Sequence, residues 1–175
     1  SKDNFIANTA QQAVGAVLAF TVPIFLSVYE YAQVTLVNVL IALLPLGDLG
    51  LGIIYNRKLP ALYENKNTNE VNRWNATISR FKLYSSLIFA LLVSSYYFYR
   101  YQYLLNAILL FFFVIFTSIL AYVIANATVR SDFRFIRNFT FLQALAKFIV
   151  LPSVWVAGVK GWFFGQLFCL LALAL

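Results

Sequence analysis

The sequence contains no histidine. Histidine is the commonest metal ligand and the side chain whose ordinary titration falls near neutral pH. Its absence removes most membrane metalloprotease and phosphatase chemistries. Cysteine occurs once, as Cys169 inside an apolar run, so no disulfide framework exists and the residue reads as a small lipid- or helix-facing side chain. Charge is scarce as well: Asp, Glu, Lys and Arg make up 11% of the chain, against about a quarter in a soluble domain. The opening SKDNFIANTAQQ lacks the compact apolar core and small-residue cleavage site of a secretory signal. The chain has no initiator Met and stops at LLALAL without a polar flank, which gives the expectation of a piece of a longer protein.

In place of charge the chain carries 62% hydrophobic and 18% aromatic residues. That composition is the signature of an integral membrane protein. Leu, Ile, Phe and Val occur in long runs, which favours helices over a barrel of alternating strands. The predicted fold is an all-α, six-transmembrane-helix bundle. Apolar windows place the spans at about 5–28, 34–54, 83–99, 104–128, 139–159 and 162–175. The third is short and the last is truncated.

The basic residues sort by loop. Lys2 precedes span one; Arg57, Lys58, Lys66, Arg73, Arg80 and Lys82 lie between spans two and three; Arg130, Arg134 and Arg137 lie between spans four and five. The remaining loops hold Arg100 and Lys160, a count of ten against two, which puts the N-terminus in the cytoplasm. The net charge of +7 is therefore an orientation signal, and its partner is acidic membrane lipid rather than nucleic acid. Between spans two and three, Val71, Trp74, Ile78 and Phe81 recur at helical spacing over about 68–82, with Asn67 or Thr68 as cap and Glu70 in the first turn. This predicts an interfacial amphipathic helix that anchors orientation. The run YYFYRYQY at 96–103 reads as an aromatic belt at the outer interface, more readily than as a sugar-stacking platform.

A few polar residues stand inside the apolar runs. At the end of span two, PLGDLGLGIIYNRKLP holds Asp48 between Gly47, Gly50 and Gly52, with Arg57 and Lys58 at the exit. A charge at membrane depth costs about 2.5–3.5 kcal/mol on insertion scales, so it belongs in a protein interior or a watered path. Asp48 is expected to face the bundle interior with Lys147 or Arg57 as partner, the alternative being a cap on a helix broken at Gly47 or Gly50. In span one, Asn8, Gln11 or Gln12, and Gly15 share a face, and Pro23 is placed to kink the helix. Such a face lines a cavity or makes plain interhelical hydrogen bonds. In span five, Thr140, Gln143 and Lys147 share a face, with Lys147 about 12 Å into the span at 1.5 Å per residue. Lys147 either faces a cavity or a partner, or snorkels to the surface. Thr117, Ser118 and Asn126 are weak signals, and Gly161 with Gly165 forms a GxxxG pair suited to close packing. The Asn-x-Thr triplets at Asn75, Asn126 and Asn138 carry little meaning in cytoplasmic or membrane positions.

Three stretches together, NFIANTAQQAVGAVLAF, LLPLGDLGLGIIYNRKLP and LPSVWVAGVKGWFFGQLF, resemble the N-terminal half of a polysaccharide (O-antigen type) flippase. That family belongs to the multidrug/oligosaccharidyl-lipid/polysaccharide exporter superfamily, whose members carry two six-helix bundles. The resemblance implies one lobe of a two-lobe exporter, with the C-terminal lobe of the same protein as partner. It implies a transporter, not an enzyme, and needs no cofactor. The cargo would be an undecaprenyl-diphosphate-linked oligosaccharide moved across the bacterial inner membrane by alternating access, with protons or sodium as possible coupling ions. Lys147 and Arg57 would be the cations for the diphosphate; Asp48, Gln143, Asn8, Gln11 and Gln12 would line or gate the path. Three other readings compete, one of them a purely structural membrane subunit, against which intramembrane Asp48 and Lys147 count weakly. A cation-coupled multidrug exporter would rest on acidic cavity residues, of which Asp48 is the one available. A non-transport protein of polysaccharide assembly, such as a glycosyltransferase or polymerase, would need catalytic acids in a sizeable outer loop, and the outer loops here are a few residues long.

Overall fold

The computed structural model describes residues 2–45, 57–62, 68–130 and 132–174; for 2–8, 68 and 174 it describes the backbone alone. Among the described residues the chain is all-α. Its helices are α1 (Lys2–Phe25), α2 (Val28–Ala42), α3 (Thr68–Tyr101), α4 (Leu104–Val129), α5 (Phe133–Lys147) and α6 (Val150–Ala174). A helical turn at 57–62 lies between α2 and α3. Among the described residues three runs are, by length and composition, long and apolar enough to cross a membrane, Asn69–Tyr101, Leu104–Val129 and Val150–Leu173. The second is the most apolar, at a mean hydropathy of 2.8. Large apolar side chains on the outer surface, among them Phe20, Ile24, Ile88, Leu92, Trp155 and Val156, are well exposed, as suits a multi-pass membrane protein facing lipid.

The first two helices meet earlier in the chain than the apolar windows indicate. Chain direction changes at Leu26–Ser27, and α2 begins at Val28 rather than near 34. The cause is local. Ser27 accepts from the Glu30 backbone N–H, and the Glu30 carboxylate accepts from the Ser27 backbone N–H at 2.9 Å, a reciprocal capping box. The S-x-x-E pattern that encodes it is present in the sequence as Ser27 to Glu30.

The predicted interfacial helix and the third span are one helix. No Gly or Pro interrupts 68–101, and α3 runs through all of it. At 1.5 Å per residue it is about 50 Å long, well beyond a hydrocarbon core of about 30 Å. Its first third does not turn an apolar face to lipid. Val71 and Ile78 are buried in a small cluster with Leu59 of the 57–62 turn and Val129 at the end of α4, with Trp74 packed alongside. Lys58 lies over the Trp74 ring, 5.1 Å from its centroid.

The last run, Val150–Leu173, is not a straight rod. Gly158 has φ 56° and ψ −133°, a conformation that side chains other than glycine rarely adopt. A Cβ on Gly161 would strike the Ser153 carbonyl, and one on Gly165 would stand 3.0 Å from the Val150 Cα. Residues eight apart in a straight helix are separated by about 12 Å, so the chain reverses at Gly158. Residues 150–157 and 159–174 are antiparallel arms packed backbone to backbone, and the GxxxG pair is what permits it. The reversal falls at the predicted junction of spans five and six. Upstream, Pro152 lacks the N–H that would reach the Phe148 carbonyl, and α5 ends there. Its end tightens into i→i−3 bonds, Phe148 N–H to Leu145 O at 3.1 Å and Ile149 N–H to Ala146 O at 3.0 Å.

The second arm of α6 is the hub of the core. Phe163 is fully buried and meets Tyr97 of α3 edge-on at 5.8 Å; Trp162 meets Phe113 of α4 at 5.9 Å. Cys169 donates from Sγ to the Ala146 carbonyl at 2.7 Å, tying the arm to the broken end of α5.

Candidate functional site

A cavity of about 340 Å³ opens between α1, α2, α5 and α6. Helix α1 supplies Gly15, Leu18, Ala19, Val22 and Pro23; α2 supplies Tyr31, Val34, Thr35 and Asn38; Lys147, Val150, Trp162 and Gln166 close it. The mixture follows from the sequence. Gly15 and Ala19 offer little side-chain bulk, and Pro23 cannot donate to the Ala19 carbonyl, so this side of α1 leaves space and a carbonyl without its usual helical donor. The polar groups are Tyr31, Thr35, Asn38, Lys147 and Gln166, brought in from three separate helices.

Lys147 is the cation of this cavity. It is the last residue of α5, half-buried, and stands where the helix end presents carbonyl groups. A helix C-terminus carries partial negative charge and favours a cation. Among the described residues no carboxylate pairs with it. Among the described residues the arrangement gives an ammonium in a partly polar hollow with no other charge on its wall, suited to an anionic group that brings its own oxygen acceptors.

The other predicted residues distribute unevenly. Gln11 of α1 donates from Nε2 to Gln143 Oε1 of α5 at 3.3 Å, one turn from Gly15 and Lys147, so the polar faces of the two helices do meet. Thr140, on the same face, is buried. Gln12 is exposed and is not part of the cavity wall. Arg57, expected as a second cavity cation, is exposed on the 57–62 turn and does not line the cavity either. The helical turn directs it away because Leu59, two residues on, is the member of that turn packed inside. Asp48, and with it the proposed pairing with Lys147, lies outside the described residues, as does the side chain of Asn8.

A second polar region was not singled out by sequence. Tyr97, predicted as part of an aromatic belt, is fully buried. Its hydroxyl donates to Gln33 Oε1 at 2.7 Å and accepts from Asn106 Nδ2 at 3.4 Å. The relay joins α2, α3 and α4 and leaves Asn106 Oδ1 without a protein partner. Beside it, Tyr29, Glu30, Gln33, Tyr103, Asn106 and Lys160 line a cavity of about 340 Å³ near the reversal at Gly158. Glu30 is the pivot there. The Ser27 backbone N–H, then the Ser27 hydroxyl, then the Val159 N–H hold its carboxyl below the ordinary value of 4.5, against a smaller opposing effect of burial. A Cβ on Gly158 would lie 2.7 Å from Glu30 Oε1, so the glycine also makes room for the carboxylate. Gln33 and Asn106 stand singly between apolar residues and Tyr97 is one of five tyrosines in YYFYRYQY; what the sequence does offer is the Ser27–Glu30 box that marks the turn nearby.

Among the described residues no group of His, Cys, Asp and Glu is placed to hold a metal ion. Compared with protein-family models, curated proteins and solved structures, the chain matches none.

Proposed function

We propose that this chain forms one lobe of a membrane exporter that carries an anionic, lipid-linked oligosaccharide across the bacterial inner membrane. The observation that supports it is Lys147, an ammonium on the broken end of α5 with no carboxylate partner among the described residues, in a polar cavity walled by α1, α2 and α6. An ionisable residue inside a membrane helix bundle marks a path for substrate or ion. The diphosphate of the cargo would meet Lys147, the sugars would meet Asn38, Thr35, Tyr31 and Gln166, and the polyprenyl tail would stay in lipid. The resemblance to the flippase family supplies the cargo class. The distribution of basic residues supports a cytoplasmic N-terminus. In this reading Asp48 gates the path from the end of the second span. A broken helix end facing the cargo site is a recurring device in transporters that work by alternating access, and no covalent step is required.

The test is glycan export by the full-length protein. Lys147→Ala is expected to abolish export with the protein still in the membrane, and Lys147→Arg to retain a measurable fraction. Export unchanged in Lys147→Ala would make Lys147 a snorkelling or structural residue and would overturn the proposal.

A further inference from the structure

A third cavity, of about 290 Å³, lies between α3 and α4 and belongs to neither polar region. Its wall is apolar, with Leu83 of α3 and Ile115 and Ile119 of α4. The hydroxyl groups that line it are already engaged. Ser79 donates to the Ala76 carbonyl at 3.1 Å, Ser86 is bonded to Ser118 and to the Lys82 carbonyl, and Tyr122 donates to the Asn75 carbonyl. The wall therefore offers an entering molecule contact surface and few hydrogen-bond donors. Two cations stand on it, Arg80 and Lys82. They come from the more polar part of α3, while Ile115 and Ser118 pack further along, at the level of Ser86. From Ser79 to Ser86 the groove runs about 10 Å along the helix. Its ligand must be apolar along its length and anionic at one end.

We propose that this groove is a binding site for an anionic membrane lipid, with an acyl chain against Leu83, Ile115 and Ile119 and the phosphate headgroup at Arg80 and Lys82. Basic pockets between membrane helices on the cytoplasmic side recognise such headgroups. This inference rests on the membrane reading of the chain but not on transport or on Lys147. A failure here leaves the export result untouched, and a failure of export leaves this site untouched.

The test is lipid retention by the purified full-length protein in detergent, measured by native mass spectrometry with phosphatidylglycerol and phosphatidylcholine of identical chains. Each basic residue near a headgroup is worth roughly a factor of five, so phosphatidylglycerol is expected to bind about tenfold or more tightly. Arg80→Gln with Lys82→Gln should remove that preference, and Ile119→Trp, which fills the groove from an exposed position, should reduce retention of phosphatidylglycerol with both cations still present. Glycerophosphoglycerol, the headgroup without chains, should not compete. Equal retention of the two lipids, a preference that survives the double Gln variant, full retention in Ile119→Trp, or competition by the free headgroup would each overturn the proposal.

Discussion

Single residues carry the polar interior of this protein, and their contributions differ by their surroundings. Gln11 and Gln143 share one part-buried amide–amide hydrogen bond at the α1–α5 contact. Tyr97 is different, because its hydroxyl both donates and accepts in a buried relay. Tyr97→Phe keeps the ring against Phe163 and strands Gln33 Oε1 and Asn106 Nδ2 together. Leaving buried polar groups unsatisfied costs about 1–3 kcal/mol, against roughly 0.6 kcal/mol for an average hydrogen bond between membrane helices. Unfolding in detergent is expected to show the larger loss; a loss at or below the smaller figure would mean that the three groups act independently. What the sequence revealed at this scale was faces, not partners. The i, i+3, i+7 spacing of Thr140, Gln143 and Lys147 identified one side of a helix, and the residue across from it was not encoded locally. Tyr97 was hidden for a related reason: it is one of five tyrosines in YYFYRYQY, of which Tyr96 and Tyr99 are exposed, and its packing against α6 and its bonds to α2 and α4 set it apart from them.

Elements begin and end where backbone chemistry dictates, and not always where hydropathy changes. The shift from polar to apolar at Lys82–Leu83 marks a change of surroundings. Nothing in it stops a helix, so α3 continues through. Conversely, α5 breaks inside an apolar stretch because of Pro152, and the chain reverses at Gly158, near the end of that same stretch. Helix α4, an uninterrupted apolar run ended by Arg130, was legible almost to its boundaries for the opposite reason: its hydropathy and its backbone signals agree. The start of α2 rests on Glu30, which makes it sensitive to acid. The folded carboxyl titrates below 4.5, so its stabilising effect is complete above that value and is lost as pH falls through the lowered one. Melting temperature followed from neutral pH down past pH 4.5 should decline in the native sequence more steeply than in Glu30→Gln, which keeps the hydrogen-bond acceptor without the charge. Parallel pH profiles would remove Glu30 from the account of that turn.

The whole molecule places its polar groups in separate compartments. The Lys147 cavity lies among α1, α2, α5 and α6, the Glu30–Lys160 cavity beside the reversal of α6, and the basic groove between α3 and α4. Around them much of the surface is apolar. All-helical character, with apolar runs compatible with a multi-pass membrane protein, was readable from composition because charge is scarce and the apolar residues fall in long runs. The cavity was not readable, since it depends on small residues of α1 facing polar residues of α2 across a turn that hydropathy placed several residues late. The central claim is that this cavity is a watered path inside a membrane-embedded lobe, and thiol labelling reads it directly. In a Cys169→Ser background, Asn38→Cys lines the cavity and Ile88→Cys faces outward on α3. A membrane-impermeant thiol reagent applied to the full-length protein in open membranes, where both faces are reachable, should modify the cysteine at 38 and spare the one at 88, and a diphosphate-linked oligosaccharide lipid should slow the modification at 38. Equal protection of both positions, or modification at 38 that the lipid-linked saccharide leaves unchanged, would contradict the account.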